Sequence, residues 1–330
     1  MIDFKGRVAI VTGAGGGLGK QHALALARRG AKVVVNDLGG ARDGSGGSAS
    51  AAQAVVDEIR AAGGEAIANA ASVTDFDAVQ AMVRQAVQTW GRVDILVNNA
   101  GILRDKTFAK MDVADFRLVL DVHLMGAVHC TKAVWPIMSE QKYGRIVMTT
   151  SSSGLYGNFG QSNYGAAKLA LVGLMQTLAL EGAKNDIRVN CLAPTAATRM
   201  TEGLMPPEVL AALTPESVVP ALLYLVSQDG PNRAIACAGA GTFERAYVTL
   251  TRGVHLGDGP DVPEQVAARF EQSAAGTPEM DLDCGPLINA AQKARTLTVT
   301  QQGIFDPHFT TINPKSHAQE TAQPPPRGAR

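Results

Sequence analysis

The glycine-rich segment TGAGGGLG at residues 12–19 constrains the fold of this chain more than any other feature. It follows residues 7–11 (RVAIV), whose β-branched run without polar alternation is typical of a strand covered on both faces. A helical stretch at residues 18–29 comes next and ends before Gly30, and residues 32–36 form a second apolar segment. The order strand, turn, helix, strand predicts a βαβ unit.

The glycines at positions 13, 17 and 19 have a physical role in such a turn. Glycine permits a tight turn and lets the backbone approach a pyrophosphate, which binds at the positive N-terminus of the following helix. The spacing is G-x-x-x-G-x-G, and flexible loops can contain similar glycine clusters. Because this cluster lies between a buried strand and a helix, we expect Gly13, Gly17 and Gly19 to bind a dinucleotide.

Asp37 follows the second strand, where a carboxylate can accept hydrogen bonds from the adenosine ribose hydroxyls. Its charge would disfavour a 2′-phosphate and therefore predicts NAD rather than NADP. The cations Arg28 and Arg42 are near in sequence and could weaken that preference. Alternatively, Asp37 is an ordinary capping residue of a turn or helix.

Strand and helix patterns continue to alternate along the chain. This alternation predicts one α/β domain with a doubly wound, Rossmann-like parallel sheet over residues 1–242, whose ligands bind at the carboxyl ends of the strands. Residues 243–330 are expected to form a C-terminal extension that is helical near residues 263–273 and disordered over about the last 12 residues. Helices are predicted near residues 50–62, 75–89, 112–139 and 163–185, and strands near residues 65–69, 94–97, 145–148, 188–192 and 234–238.

Composition limits the partners and the compartment. The formal net charge is zero, so neither nucleic acid nor an anionic membrane is expected as a partner, and no segment is expected to span a membrane. The first residues lack the apolar core of a secretory signal, and the last three do not form a peroxisomal signal. The cysteines have no metal-binding spacing, so we expect no metal site and a reducing, cytoplasmic location. They are Cys130, Cys191, Cys237 and Cys284.

Tyr164 and Lys168 are four residues apart on a predicted helix and therefore lie on one face. A neighbouring ammonium favours the phenolate form of tyrosine, which a general base near neutral pH requires. Such a pair on a helix can also be an ordinary surface contact. The glycine turn and Asp37, which predict a cofactor at the same edge of the sheet, favour the catalytic interpretation.

The segments TGAGGGLG (12–19), NNAG (98–101), Ser151 and YGAAK (164–168) together resemble the short-chain dehydrogenase/reductase family. A closer resemblance is to the (3R)-hydroxyacyl-CoA dehydrogenase units of peroxisomal multifunctional enzymes of type 2. That resemblance is carried by residues 36–48, 98–105, 121–124, 143–168 and 238–241.

The resemblance implies roles for the residues around the tyrosine. Tyr164 would be the acid/base, and Lys168 would lower its pKa and bind the nicotinamide ribose. Ser151 would orient the substrate oxygen, with the adjacent Ser152 and Ser153 as alternatives. His123 occupies the place of the asparagine that the family uses in its proton relay, and either a packing role or a direct catalytic role is open for it.

The resemblance also implies a set of cofactor contacts, with Asn98 lining the cleft. Ser72 stands where the family usually has an acidic residue near adenine, and Pro194-Thr195 replaces the usual proline–glycine. The expected NAD contacts are Gly13, Gly17, Leu18, Gly19, Asp37, Ser72, Val73, Asn99, Ala100, Gly101, Tyr164, Lys168 and Pro194.

The implied function is NAD-dependent oxidation of a (3R)-3-hydroxyacyl-CoA to a 3-oxoacyl-CoA, in a β-oxidation type of fatty acid or sterol side-chain metabolism. A steroid 17β-alcohol or another bulky alcohol is the alternative substrate, and residues 199–213 would suit a mobile lid over either. Members of another class, dinucleotide-binding proteins without catalysis, are a further alternative, as are dehydratases and epimerases. The resemblance also implies a homodimer or homotetramer that associates through the two long helices near residues 112–139 and 163–185.

Overall fold

The computed structural model describes residues 1–48, 50–197, 213–249 and 255–274, with side chains up to residue 270. The chain divides into two units, Met1–Ala246 and Tyr247–Arg330. The strands of the first unit are β1 (Val8–Thr12), β2 (Lys32–Asn36), β3 (Ala66–Asn69), β4 (Ile95–Asn98), β5 (Gly144–Thr149), β6 (Ile187–Pro194), β7 (Ile235–Gly239) and β8 (Thr242–Ala246). Its α-helices are α1 (Gly17–Arg28), α2 (Ser50–Ala61), α3 (Phe76–Trp90), α4 (Val113–Leu120), α5 (Gly126–Gln141), α6 (Ser152–Tyr156), α7 (Ser162–Gly182) and α8 (Val219–Leu225).

The eight strands form one sheet in the order β3-β2-β1-β4-β5-β6-β7-β8. The first seven strands are parallel, because each is connected to the next by a helix that crosses a face of the sheet. This arrangement confirms the predicted doubly wound parallel fold. The chain order reverses direction across the sheet between β1 and β4, so a cleft opens at the carboxyl ends of these two strands.

Strand β8 is antiparallel to β7 and was not expected from the sequence, which placed the last strand at residues 234–238. The turn between them uses Ala240 (φ 48°) and Gly241 (φ 76°), so both central residues are left-handed, as in a two-residue hairpin. The residues of β8 are largely exposed and lack an apolar run, which explains why the pattern was missed. The sheet therefore continues past residue 242, the expected domain limit.

Helices cover both faces of the sheet and create a separate apolar core on each. Helices α1, α2 and α8 pack on one face, with side chains such as Leu24, Val55 and Leu222. Helices α3, α5 and α7 pack on the other, with side chains such as Met82 and Met175. Burial on both sides explains why the inner strands read as continuous apolar segments.

The long helix predicted at residues 112–139 is interrupted by a π-helical turn. Helix α4 runs into the π turn Asp121–Met125 and then into α5 without a break in the chain direction. A π turn inserts an extra residue into the helix and occurs frequently at functional sites. His123 lies in the middle of this turn.

Helix α7 continues into a short 3₁₀ turn, and the combined segment Ser162–Asn185 has 24 residues and a mean hydropathy of 1.2. By length and composition alone it could span a membrane, so the expectation that no segment approaches that criterion was wrong. The helix packs instead against the sheet, and its own side chains Lys168 and Leu171 are buried in that contact. Core helices of water-soluble proteins meet the same criterion.

In the second unit, helix α9 (Val262–Ala274) agrees with the helix predicted near residues 263–273. Residues 38–48 of the first unit form a loop between β2 and α2. The proposed lid lies almost entirely outside the described residues, and the expected disordered C-terminus lies wholly outside them.

Candidate active site

The glycine turn after β1 has the backbone geometry that its sequence predicts. Gly13 and Gly17 have φ values of +63° and +51°, which favour glycine. A Cβ on Gly19 would lie 2.2 Å from the carbonyl oxygen of Gly13. No side chain caps the first turn of α1 at Gly16, so backbone N–H groups at that helix end can bind an anion. Leu18, in the same turn, packs its side chain against the apolar core.

Thr12 and Asn99 tie the glycine turn to the end of β4. The Thr12 hydroxyl accepts hydrogen bonds from the backbone nitrogens of Asn99 and Ala100, at 3.0 and 3.1 Å. The Asn99 side-chain amide donates to the carbonyl oxygens of Thr12 and Gly13, at 3.0 and 3.1 Å. The expected contact residue Asn99 therefore shapes the turn through its side chain. Thr12, which was not predicted, could have been found as a buried hydroxyl at the end of an apolar strand.

Asp37 lies beside the glycine turn, as predicted, and its carboxylate is fixed by backbone. One oxygen accepts from the nitrogen of Gly15 at 2.7 Å, and the other accepts from the nitrogen of Gly39 at 2.6 Å. Asp37 therefore does cap a turn, and the same capping holds a half-buried negative charge at the rim of the cleft. The two interpretations of Asp37 are compatible.

The remaining expected contacts lie at neighbouring strand ends. After β3, the Ser72 hydroxyl is hydrogen-bonded to the Thr74 hydroxyl at 2.8 Å, and Val73 is buried with its carbonyl 2.9 Å from Nδ1 of His129. Pro194 is the last residue of β6, at the same edge of the sheet. The structure thus brings the expected cofactor residues to one edge.

Ser151 begins helix α6 and faces the tyrosine on α7. Its hydroxyl caps the helix by accepting from the nitrogen of Ser153 at 3.2 Å, and its side chain is near enough to that of Tyr164 to lower the tyrosine pKa. Among the three adjacent serines, Ser151 is therefore the one that meets Tyr164. The close approach of α6 and α7 depends on Gly154, since a Cβ there would lie 2.7 Å from Cβ of Lys168.

Lys168 is buried beneath the tyrosine. Its ammonium donates to the carbonyl oxygen of Thr149 at 2.6 Å and lies 5.4 Å from the centroid of the Tyr164 ring. Burial lowers the pKa of Lys168 to about 7, and the nearby Cys191 thiol opposes this slightly.

The pKa of Tyr164 lies above its ordinary value, because burial disfavours the phenolate. The Ser151 hydrogen bond partly offsets this effect, whereas the charge of Asp105 adds to it. Lys168 was expected to lower the pKa of Tyr164. In the structure, the pKa of Tyr164 instead lies above its ordinary value. Burial accounts for the raised pKa of Tyr164 and the lowered pKa of Lys168, since it disfavours the charged form of each group. The sequence does not show how deeply the pair is buried.

His123 reaches the site through the π turn. Its Nε2 lies 3.0 Å from the nitrogen and 2.8 Å from the carbonyl oxygen of Ile102, and its ring meets the Tyr164 ring edge to face. A Cβ on Gly101 would lie 2.3 Å from the imidazole, so glycine is required there. Burial, with a smaller effect of Lys168, holds the pKa of His123 well below 6.5, and the ring is therefore neutral.

A cavity of about 10 Å³ lies between Thr12, His123 and Lys168, a volume at the lower limit for one water molecule. The buried atoms Asn98 Oδ1, His123 Nδ1 and Thr149 Oγ1, all close to this region, have no hydrogen-bond partner within the described chain. A larger cavity of about 460 Å³ is lined by residues such as Arg7, Tyr143 and Tyr224, and it includes none of the expected site residues.

Two polar side chains near the tyrosine were not predicted. Gln161 donates to the carboxylate of Asp105 at 2.8 Å, and Asn163 donates to the carbonyl oxygen of Arg104 at 3.0 Å. Both lie within residues 143–168, one of the segments that carry the resemblance, and that position could have indicated them. Over residues 1–48, 50–197, 213–249 and 255–274, no group of three or more His, Cys, Asp or Glu side chains could hold a metal ion.

Known proteins are similar to this chain in sequence and in fold. The profile of a family described as short chain dehydrogenase matches residues 7–208. A short-chain type dehydrogenase/reductase of Mycobacterium tuberculosis is 52% identical over 82% of this chain and 95% of its own. Peroxisomal multifunctional enzyme A of Dictyostelium discoideum is 50% identical over 82% of this chain and 60% of its own.

The solved structure of peroxisomal multifunctional enzyme type 2 from Drosophila melanogaster superimposes with a TM-score of 0.73 and 38% identity. It covers 89% of this chain and 50% of that enzyme, so the present chain spans about half to three fifths of these multifunctional relatives. With its sheet topology, its glycine turn and the family profile in agreement, the chain belongs to the short-chain dehydrogenase family.

Proposed function

We propose that this dehydrogenase oxidises the alcohol of a (3R)-3-hydroxyacyl-CoA to a ketone, with NAD as the hydride acceptor. The observation that carries the proposal is the convergence of Ser151, Tyr164 and Lys168 at the sheet edge that also holds the glycine turn and Asp37. A proton acceptor and a dinucleotide site therefore open on the same cleft. The multifunctional enzymes at about 50% identity support the acyl-CoA substrate class.

The residues present fit a dinucleotide. The glycine turn and the uncapped N-terminus of α1 would hold the pyrophosphate, and Asp37 would accept from the adenosine ribose hydroxyls. Ser72 and Val73 would flank adenine, and Lys168 would bind the nicotinamide ribose. The carboxylate of Asp37 disfavours a 2′-phosphate and is the reason to propose NAD rather than NADP. When bound, NAD supplies the site that accepts the hydride.

The protein side chains would move the proton. Ser151 donates a hydrogen bond to the substrate oxygen and stabilises charge on it, and Tyr164 takes the hydroxyl proton during oxidation. Although burial keeps the pKa of Tyr164 above its ordinary value, the ammonium of Lys168, 5.4 Å from the ring centroid, would stabilise the phenolate when the proton is transferred. Because burial raises the pKa of Tyr164, oxidation should accelerate as the pH rises, since the phenolate is the active form. In reduction, Tyr164 returns the proton.

The intact site argues against a dinucleotide-binding protein without catalysis. Such a protein needs the glycine turn but has no use for a serine, a tyrosine and a lysine that converge on the same cleft. Burial of Lys168 is unfavourable for stability and is expected to be retained for a chemical role.

Assembly and location are further parts of the proposal. Helix α7 presents Leu169 and Leu180, each about half exposed, which suits a homodimer or homotetramer built on this helix. The free cysteines Cys130 and Cys191 are buried and unpaired, as suits a cytoplasmic location. Elution of the purified protein as a monomer at micromolar concentration would count against the assembly.

A direct assay tests the substrate. Purified protein is incubated with NAD and, in separate reactions, a (3R)-3-hydroxyacyl-CoA, its (3S) isomer and a 17β-hydroxysteroid, and NADH absorbance is followed. We expect turnover of the (3R) thioester. Activity on the steroid alone would replace the acyl-CoA proposal by the steroid alternative, and absence of any activity would favour a binding protein.

A further inference from the structure

Three consecutive residues, Thr149–Ser151, connect the end of β5 to the active-site side of helix α7. Thr149 is the last residue of β5 and pairs with Leu192 of β6, and the backbone nitrogen of Thr150 donates to the carbonyl oxygen of Leu192 at 2.8 Å. Ser151 then begins α6. Thr150 and Ser151 are both buried, so their hydroxyls must find partners within the protein.

Two of these residues hold Lys168 at two different places. The Thr150 hydroxyl donates to the backbone carbonyl oxygen of Lys168 at 2.7 Å. The backbone carbonyl oxygen of Thr149 accepts from the Lys168 ammonium at 2.6 Å. Adjacent residues at the strand end therefore fix the backbone and the charged end of the same lysine, and both bonds are buried.

The bond from Thr150 is not required to complete helix α7. Lys168 lies in the interior of that helix, where helical geometry pairs its carbonyl with the N–H group four residues later. The hydroxyl is therefore a second donor to a carbonyl that the helix already satisfies. Its bond links the strand end that carries Ser151 to the helical turn that follows Tyr164.

The titratable groups that act on Tyr164 and Lys168 come from separate elements. His123, in the π turn, contacts the tyrosine ring and is neutral. The Cys191 thiol on β6 lies near Lys168 and keeps its proton, because burial raises its pKa. The Asp105 carboxylate raises the pKa of Tyr164 less than burial does. The linking hydroxyl carries no charge, so its removal can change the tyrosine pKa only by moving the groups around it.

We propose that Thr150 is a positioning residue, whose hydroxyl bond to the α7 backbone sets the places of Ser151 and Lys168 relative to Tyr164. Because Ser151 lowers the pKa of Tyr164, a looser link between strand and helix should raise that pKa. A displacement of about 1 Å in such an arrangement can lower the rate by about a hundredfold. This inference rests on the proposed function, since it assigns a residue that supports the same proton transfer.

The pH profile of oxidation separates a positioning role from a purely structural one. The midpoint of kcat against pH reports the pKa of Tyr164 in the enzyme–substrate complex. Thr150→Val, which is nearly isosteric but lacks the donor, should move the midpoint up by about one pH unit, a loss of about tenfold in kcat below the midpoint. Thr150→Ala should move it in the same direction, whereas Thr150→Ser keeps the hydroxyl and should retain the wild-type midpoint.

Thr177→Val is the matched control on the same helix. The Thr177 hydroxyl donates to the backbone carbonyl oxygen of Gly173 on an exposed face of α7, so the variant deletes the same kind of bond away from the site. Its midpoint should equal that of the wild type. Urea unfolding of each variant measures the loss of stability separately. A shift in Thr150→Ser as large as that in Thr150→Val would overturn the role of the hydroxyl.

The profile can be measured with whichever alcohol the wild type oxidises, the (3R) thioester, its (3S) isomer or the 17β-hydroxysteroid. Turnover of the (3R) thioester with the wild-type midpoint in both Thr150→Val and Thr150→Ala would overturn this inference and leave the proposed function intact. Turnover of the steroid alone would replace the proposed substrate, and the same shift of the midpoint would still support the role of Thr150. Absence of any turnover in the wild type would overturn both.

Discussion

The imidazole ring of His123 stands edge to face against the phenol ring of Tyr164, with the ring centroids 5.2 Å apart and an interplanar angle of 88°. The histidine is held from its other side by the backbone of Ile102 and packs directly on Gly101. Its pKa lies well below 6.5, so it is neutral when the tyrosine titrates. A neutral, fixed ring in this position can orient Tyr164 but carries no charge with which to activate it.

His123→Leu should therefore impair both positioning and folding. Loss of the bond to Ile102 leaves a buried backbone group without a partner, which costs about 1–3 kcal/mol of unfolding free energy. Displacement of the tyrosine should lower kcat/KM by about ten- to a hundredfold. The measurements are urea unfolding and NADH formation.

His129→Leu is the matched control, because His129 also bonds a backbone carbonyl but lies beside Val73. It should cost stability and spare kcat. An inflection near pH 6.5 in the wild-type rate profile that vanishes in His123→Leu would contradict the positioning role.

Substitution by alanine should change stability in opposite directions at Gly154, in α6 where it packs on α7, and at Gly173, within α7. At Gly154 the added Cβ would lie 2.7 Å from Cβ of Lys168, so α6 must move and Ser151 with it. We expect a loss of about 1–3 kcal/mol and a lower kcat. At Gly173 nothing lies within 4 Å, and alanine should stabilise the helix by up to about 1 kcal/mol. Equal responses of the two variants in thermal unfolding would refute the close packing of α6 on α7.

Asp37→Ser tests the choice of cofactor. Removal of the carboxylate should raise the ratio of kcat/KM with NADP to that with NAD by about tenfold or more, because the repulsion of a 2′-phosphate is lost. Asp43→Ser, in the same loop and exposed, should leave the ratio unchanged. A wild-type preference for NADP would show that Asp37 does not select the cofactor.

His22 makes stability depend on pH. It is fully buried in α1 with both ring nitrogens unpartnered among the described residues, and burial lowers its pKa from 6.5 to about 3. Below pH 6.5, His22 binds a proton in the unfolded chain, whereas in the folded chain it stays neutral down to about pH 3. Stability should thus be full above pH 6.5 and fall by about 1.4 kcal/mol per pH unit between 6.5 and 3.

His22→Leu removes this loss. In urea unfolding, the difference in stability between pH 7.5 and pH 5 should be smaller in the variant by about 2 kcal/mol. Identical pH dependence in wild type and variant would mean that His22 is not buried as a neutral ring.

The sequence predicted those features that follow from local pattern. The apolar runs indicated each parallel strand. The glycine turn, Asp37 and Ser151 were expected at the carboxyl ends of these strands, and the structure has them at that edge of the sheet. These positions follow because parallel strands joined by helices bring their carboxyl ends together.

Features that depend on packing could not be predicted. The π turn that carries His123 to Tyr164 has no periodicity of its own, and β8 has neither an apolar run nor a buried face. The raised pKa of Tyr164 follows from the depth of burial, which spacing along a helix does not show. For the same reason, the contact between Gln161 and Asp105 joins segments 56 residues apart and emerged only from the fold.

Turnover of a (3R)-3-hydroxyacyl-CoA by Tyr164→Phe tests the central claim most directly. Removal of the hydroxyl that takes the substrate proton should lower kcat by about a hundred- to ten-thousandfold, while NAD still binds. Tyr156→Phe, which changes an exposed tyrosine on α6, should retain the wild-type rate. A Tyr164→Phe rate near that of the wild type would contradict the assignment of proton transfer to this residue.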